Sequence, residues 1–126
     1  MKRHSWLTLA VLVTLMVGTS YAHGQKSTER YIPIGQSPGV SGKVTVVGVI
    51  EAVDPNARTL AVTGWTGPRV VVTARTRIWI DRSASKLSTQ PGAFGDLQPG
   101  RRVEVKFEDG ATKSAAEWVK VEALTP

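Results

Sequence analysis

The sequence predicts an all-β fold, and three observations carry the prediction. Short runs of β-branched residues recur from Gly42 onward with a period of two. Turn-forming residues separate these runs at regular intervals. No stretch downstream of residue 22 sustains a helical period of apolar residues. The expected architecture is a small antiparallel barrel of five to six strands over residues 42–124, preceded by a signal peptide and a flexible leader.

Residues 1–22 have the composition of an export signal. Met1-Lys2-Arg3-His4 is basic and Ser5 to Val17 is apolar and uncharged. Ser20-Tyr21-Ala22 then places small residues three and one positions before a cut after Ala22. The apolar run is about a dozen residues, against the roughly 20 that a spanning helix needs. The expected product is therefore cleaved, periplasmic or secreted, with no stable membrane span. No cysteine follows the run, which excludes a lipid anchor, and Lys2-Arg3 is not a twin arginine.

Residues 23–41 are rich in Gly, Ser, Pro and charge, and read as a flexible leader or a lightly docked arm. Tyr31-Ile32-Pro33-Ile34 within it suits one extended edge segment, because Pro33 has no amide proton for a central ladder.

The first strand, Lys43 to Val53, is dense in Val, Ile and Thr, and Gly48 in its middle marks a bend or bulge. Asp54-Pro55-Asn56-Ala57 is a turn. Arg58 to Thr63 alternates with Leu60 and Val62 on one face, and Gly64-Trp65-Thr66-Gly67-Pro68 turns the chain again. Arg69 to Thr73 forms a third strand and Arg77 to Asp81 a fourth, with Ile78 and Ile80 inward. The irregular stretch Arg82 to Gly100 carries Phe94 and Leu97, expected to plug one end of the core on a short helical turn through residues 93–97. Arg101 to Glu108 alternates most cleanly, with Val103, Val105 and Phe107 inward and Arg102, Glu104, Lys106 and Glu108 outward. Ala115 to Ala123 returns with Val119 and Val121 inward. A long first strand bending at a glycine, with a plug before the last hairpin, indicates an OB-like barrel.

The chain also resembles a bacterial family, the domain of unknown function 5666. The resemblance rests on Gly48-x-Ile50-x-x-Val53, Leu60-x-Val62, Val70-x-Val72, Thr76-x-Ile78, Val103-x-Val105 and Gly110 followed by Val119-x-Val121. Its most specific piece is Asp96-Leu97-Gln98-Pro99-Gly100, continuing through Arg101-Arg102-Val103-Glu104-Val105. It covers roughly residues 42–123. It implies a small exported or membrane-tethered β-barrel and brings no activity with it.

The residues exclude several chemistries. From Gly42 onward there is no histidine and no cysteine, so neither a Ser-His nor a Cys-His pair can be assembled. Ser85-Lys86 and Lys113-Ser114 read as loop residues, with nothing to depress a lysine pKa. Glu104 and Glu108, interleaved with Arg102 and Lys106, have the pattern of a solvated strand face. Asp54, Asp81, Asp96 and Asp109 stand at turns, where Asp bonds the local backbone. The expectation is a non-enzyme without cofactor.

The precursor carries 16 basic and 10 acidic residues, net +6; without Lys2 and Arg3 the balance is 14 to 10. That is an ordinary mixed surface, and export further disfavours nucleic acid. The fold also resembles the small periplasmic copper chaperone of copper/silver efflux systems, with Trp65 in a comparable early turn. That resemblance implies Cu(I) held by histidine and two methionines, but no methionine lies beyond Met16. A cut after Ala22 would leave His23 as the amino terminus, whose α-amine and imidazole chelate Cu(II); a cut after Gly24 would remove it. Metal handling through His23 is thus the alternative function.

Surface recognition is the main expectation. Trp65, Trp79 and Trp118 find no inward slot in the strand registers, and Arg69, Arg75, Arg77 and Arg102 fall near them. Aromatic platforms beside cations bind sugars or single strands. The competing reading has the tryptophans capping the barrel or covering a second small cluster. The function class is an envelope-associated binding or assembly module, with a protein or polysaccharide partner.

Overall fold

A computed structural model describes residues 29–37 and 45–124. The export signal and His23 lie outside the described residues. Seven strands follow in chain order: β1 (Thr45–Asp54), β2 (Thr59–Val62), β3 (Val70–Val71), β4 (Arg77–Asp81), β5 (Gln90–Pro91), β6 (Arg102–Phe107) and β7 (Ala116–Glu122). They form one sheet in the order β3-β2-β1-β6-β7-β4-β5. Neighbours pair antiparallel except β4 and β7, which run parallel.

The all-β expectation holds among the described residues; the wholly antiparallel one does not. The sheet is mixed and has seven strands rather than five or six. Alternation has the same period in parallel and antiparallel strands, so it carries no sign of direction. Residues 82–101 carry the chain from β4 to β6. The β6–β7 hairpin then returns β7 beside β4, pointing the same way. A parallel bridge, Val71 to Ala115, lies just ahead of β7.

The turns follow the aspartate chemistry expected of them. Asp54 Oδ1 accepts the amides of Asn56 and Ala57, and Asp109 Oδ1 accepts that of Ala111. Asp96 Oδ2 accepts from Ala93 across the 3-10 turn Phe94–Asp96, the short helical turn expected there. The expected irregularity of β1 falls later than Gly48, between Ile50 and Ala52, where pairing has shifted from β6 to β2. Gly48 has a different role: a Cβ there would stand 2.4 Å from the Thr63 carbonyl oxygen. The glycine lets β1 approach the end of β2 closely.

Register sorts the side chains of β1, β6, β7 and β4 onto two faces. Val46, Val105, Val119 and Ile78 lie in one row of the inner face, and Val103, Val121 and Ile80 in the next. With Ile50, Leu60, Val62, Val70, Val72, Leu97, Phe107 and Ala116 they make the apolar core. Leu97 is buried as the expected plug, and Phe94 packs beside it under the Arg58 guanidinium, 4.4 Å from its ring centroid. Arg101 fastens this end: its guanidinium donates to the carbonyls of Asp96 and Glu122.

The outer face holds Glu104 opposite Lys120, Trp79 opposite Lys120, and Trp118 opposite both Lys106 and Arg77. It is not solvated. Residues 29–37 lie across it as two successive turns, closed by Ile32 N–H to Glu29 C=O and by Gln36 N–H to Pro33 C=O. This arm does not extend a sheet edge at Tyr31–Ile34, as the sequence suggested. Its Ile34 and Ser37 are buried against the sheet.

Candidate binding face

The face is built by alternation on three strands. β4 places Arg77, Trp79 and Asp81 outward, β7 places Trp118 and Lys120, and β6 places Glu104 and Lys106. Trp79 and Trp118 stand side by side, ring centroids 5.6 Å apart and planes tilted by 35°. The Lys120 ammonium lies 4.5 Å from the Trp118 ring centroid. Both tryptophans are buried, as are Asp81, Glu104 and Lys120, the last two with no exposed surface.

The arm satisfies these buried groups in order along its length. Glu29 at its start takes one hydrogen bond from Lys106 Nζ, 2.7 Å, and one from Trp118 Nε1, 2.8 Å. Thr89 Oγ1 donates to the Arg30 carbonyl, 2.8 Å. Lys120 Nζ donates to the Ile32 carbonyl, 2.7 Å, and reaches the Ser37 hydroxyl at 3.5 Å. The Ile34 amide donates to Asp81 Oδ2, 2.9 Å, and the Gly35 amide to Glu104 Oε1, 3.0 Å. Gly35 has φ +88°, and a Cβ there would sit 3.1 Å from the Arg102 guanidinium. Glycine is required twice over, for the backbone angle and for the space.

The electrostatics follow from this burial. Loss of water would raise the Glu29 carboxyl, but the hydrogen bonds from Lys106 and Trp118 outweigh it, and the carboxyl lies below its ordinary range. Burial likewise opposes ionisation of Asp81, yet the Ile34 amide, Ser83 and the Lys120 charge hold it below the usual aspartate range. Burial pushes the Lys120 ammonium down, only partly countered by Glu104, Asp81 and Glu29. Glu104 Oε2 is buried without a hydrogen-bond partner among the described residues.

The sequence-predicted site residues divide. Trp79, Trp118 and Arg77 come together, and with Glu29, Arg75 and Glu117 they line a cleft of about 210 Å³ beside the start of the arm. Trp65 belongs elsewhere. Its half-buried ring packs on Phe107, centroids 5.4 Å apart, and its indole N–H donates to the Pro68 carbonyl. Arg69 is exposed and bonds Thr59 Oγ1 through Nε. The three tryptophans do not form one platform: Trp79 and Trp118 make the second small cluster that the sequence also allowed, and Trp65 packs on the core.

The solvated reading of Glu104 is corrected as well, because the arm covers it. Sequence reasoning also passed over Lys120 and Glu29; Asp81 does accept the Ser83 amide as a turn aspartate, but its second oxygen takes the Ile34 amide of the arm. One signal was present: Trp79-x-Asp81 and Trp118-x-Lys120 put an indole and a charge on the same outward row. Such pairs mark an outward face that is more than a mixed-charge surface, without saying what lies on it.

No group of three or more His, Cys, Asp and Glu side chains among the described residues is arranged to hold a metal ion. No helix among them is long and apolar enough to cross a membrane. The class these observations define is a small all-β domain with one mixed sheet, faced by its own arm. No protein family, curated protein or solved structure matches the chain.

Proposed function

We infer that the chain is a non-enzymatic, exported OB-like barrel module for envelope-associated binding or assembly. The observation that carries this reading is the outer face itself: a recessed row of side chains on β4, β6 and β7 that grips a peptide backbone. Recognition of backbone groups by fixed side chains is the chemistry of a binding surface. The barrel reading is supported by the Val71–Ala115 bridge, which puts β3 as well as β4 alongside the path of β7. Treated as one interrupted strand, β3 and β4 would close the sheet in the OB order.

The test is co-sedimentation of the purified full chain with an envelope fraction, alongside a Lys120→Met variant whose circular dichroism matches. The reading expects the wild type to sediment and the variant to stay in solution. Equal behaviour of the two proteins contradicts it.

A further inference from the structure

We propose that the outer face of β4, β6 and β7 is a peptide-binding site whose occupant in trans is the segment Glu29–Ser37 of a second copy of this chain. The inference rests on the binding or assembly reading above and names the partner for it.

The first ground is the direction of recognition. With the one long contact to the Ser37 hydroxyl aside, each polar contact sets a side chain of the sheet domain against an arm backbone group or the Glu29 carboxylate. These contacts specify a ligand chemically. It carries an acidic side chain, a carbonyl three residues later, and two successive free amides five and six residues later. A second copy supplies that ligand by identity.

The second ground is what the covered face is made of. Water-free layers favour apolar side chains, and the inner face of the same strands has them. The outer face sets Asp81, Glu104, Lys106 and Lys120 around Trp79 and Trp118, and the four charged groups are at home in water once uncovered. Under the arm Glu104 Oε1 takes the Gly35 amide while Oε2 has no protein partner among the described residues. The charged side chains let this face change its cover at lower cost than a wholly apolar face would.

The third ground is equivalence. The contacts are the same whether the arm comes from its own chain or from another. Seven residues, 38–44, separate Ser37 from Thr45 in sequence. When the two closed interfaces are identical, protein concentration and the connecting segment set the balance between them.

The test uses the chain as it stands. Equal amounts of ¹⁴N- and ¹⁵N-labelled full chains are mixed over a range of concentrations and treated with a zero-length carbodiimide. The cross-linked peptides are then read by mass spectrometry. Glu29 and Lys106, 2.7 Å apart, form the reporting link. Glu117 and Lys106, 3.7 Å apart within the sheet domain, form the internal control. The expected result is a mixed-label Glu29–Lys106 link that rises with concentration toward about half of the total, the random-pairing value for complete exchange. The Glu117–Lys106 link stays single-label throughout. Synthetic peptide of residues 29–37, added in excess, lowers the mixed-label fraction. A Glu29–Lys106 link that is single-label at every concentration overturns the proposal. It leaves the binding-module reading to the sedimentation test, so the two failures are distinguishable.

Discussion

The two faces of the central strands are both buried, but by different means. On the inner face Val103, Val105, Val119 and Val121 are sealed by other apolar side chains of the same sheet. On the outer face Trp79, Asp81, Glu104, Trp118 and Lys120 are sealed by the nine-residue arm, whose buried Ile34 is set among backbone contacts. The inner face is held by non-directional removal of surface from water. The outer face is held by directional hydrogen bonds whose partners carry charge. Burial of the first kind is unconditional at ordinary pH. Burial of the second kind depends on protonation and on the arm being present.

The contrast is sharpened first by substitutions on the inner face. Phe107→Ala removes a buried ring and the partner of Trp65, and is expected to cost about 3–5 kcal/mol in urea unfolding. The whole domain should feel it, arm included. Gly48→Ala forces a methyl group against the Thr63 carbonyl and is expected to cost about 1–3 kcal/mol by the same measurement.

A change on the outer face should behave differently. Lys120→Met leaves Asp81 and Glu104 buried without their shared cation, but the arm can lift and admit water. The expected loss is about 1–3 kcal/mol, confined to the arm. Amide exchange of Ile34 and Gly35 should accelerate at least as much as that of the core strands and stay the faster.

Acid is the next lever, and its sign follows from the lowered carboxyls. Glu29 and Asp81 have folded values below their unfolded ones, so their stabilisation is complete above the ordinary carboxylate range. It is lost as pH falls through the lowered values. Lys120 acts at the other end. Its folded value is depressed, so its burial penalty is relieved as pH rises through that value toward the ordinary lysine range. Tryptophan emission followed from neutral to acid pH should shift red as Trp118 loses Glu29, before the core unfolds. Simultaneous loss of both would erase the distinction between the faces.

The smallest effect is expected at the exposed Arg75–Glu108 pair. Arg75→Ala should leave the unfolding midpoint unchanged within error, since surface pairs are screened by water and salt.

Much of the inner face was legible in the sequence, because alternation reports burial directly. The fourth strand ends at Arg77 and Asp81 as read, and the fifth and sixth predicted strands shift by one residue at either end. The inward sets of Val103, Val105, Phe107, Val119 and Val121 are as expected. The outer face was only half legible. Trp79 and Trp118 were correctly denied an inward slot, and the second small cluster foreseen for them exists. Their cover was not legible. A turn-rich arm has no period, and its backbone donors and acceptors are the same for any sequence. Glu104 looks identical on a strand whether water or an amide faces it. The strand direction of β7 was hidden for the same reason: pairing partners are not written in a period of two.

Native-state amide exchange tests the central claim most directly. The account predicts that Ile34 and Gly35 exchange through a local opening, at lower free energy than the amides of Val105 and Val119. The free energy of that local opening should fall as pH drops through the lowered Glu29 and Asp81 values. Exchange of all four amides through the same global unfolding, with no separate opening of the arm at any pH, would contradict it.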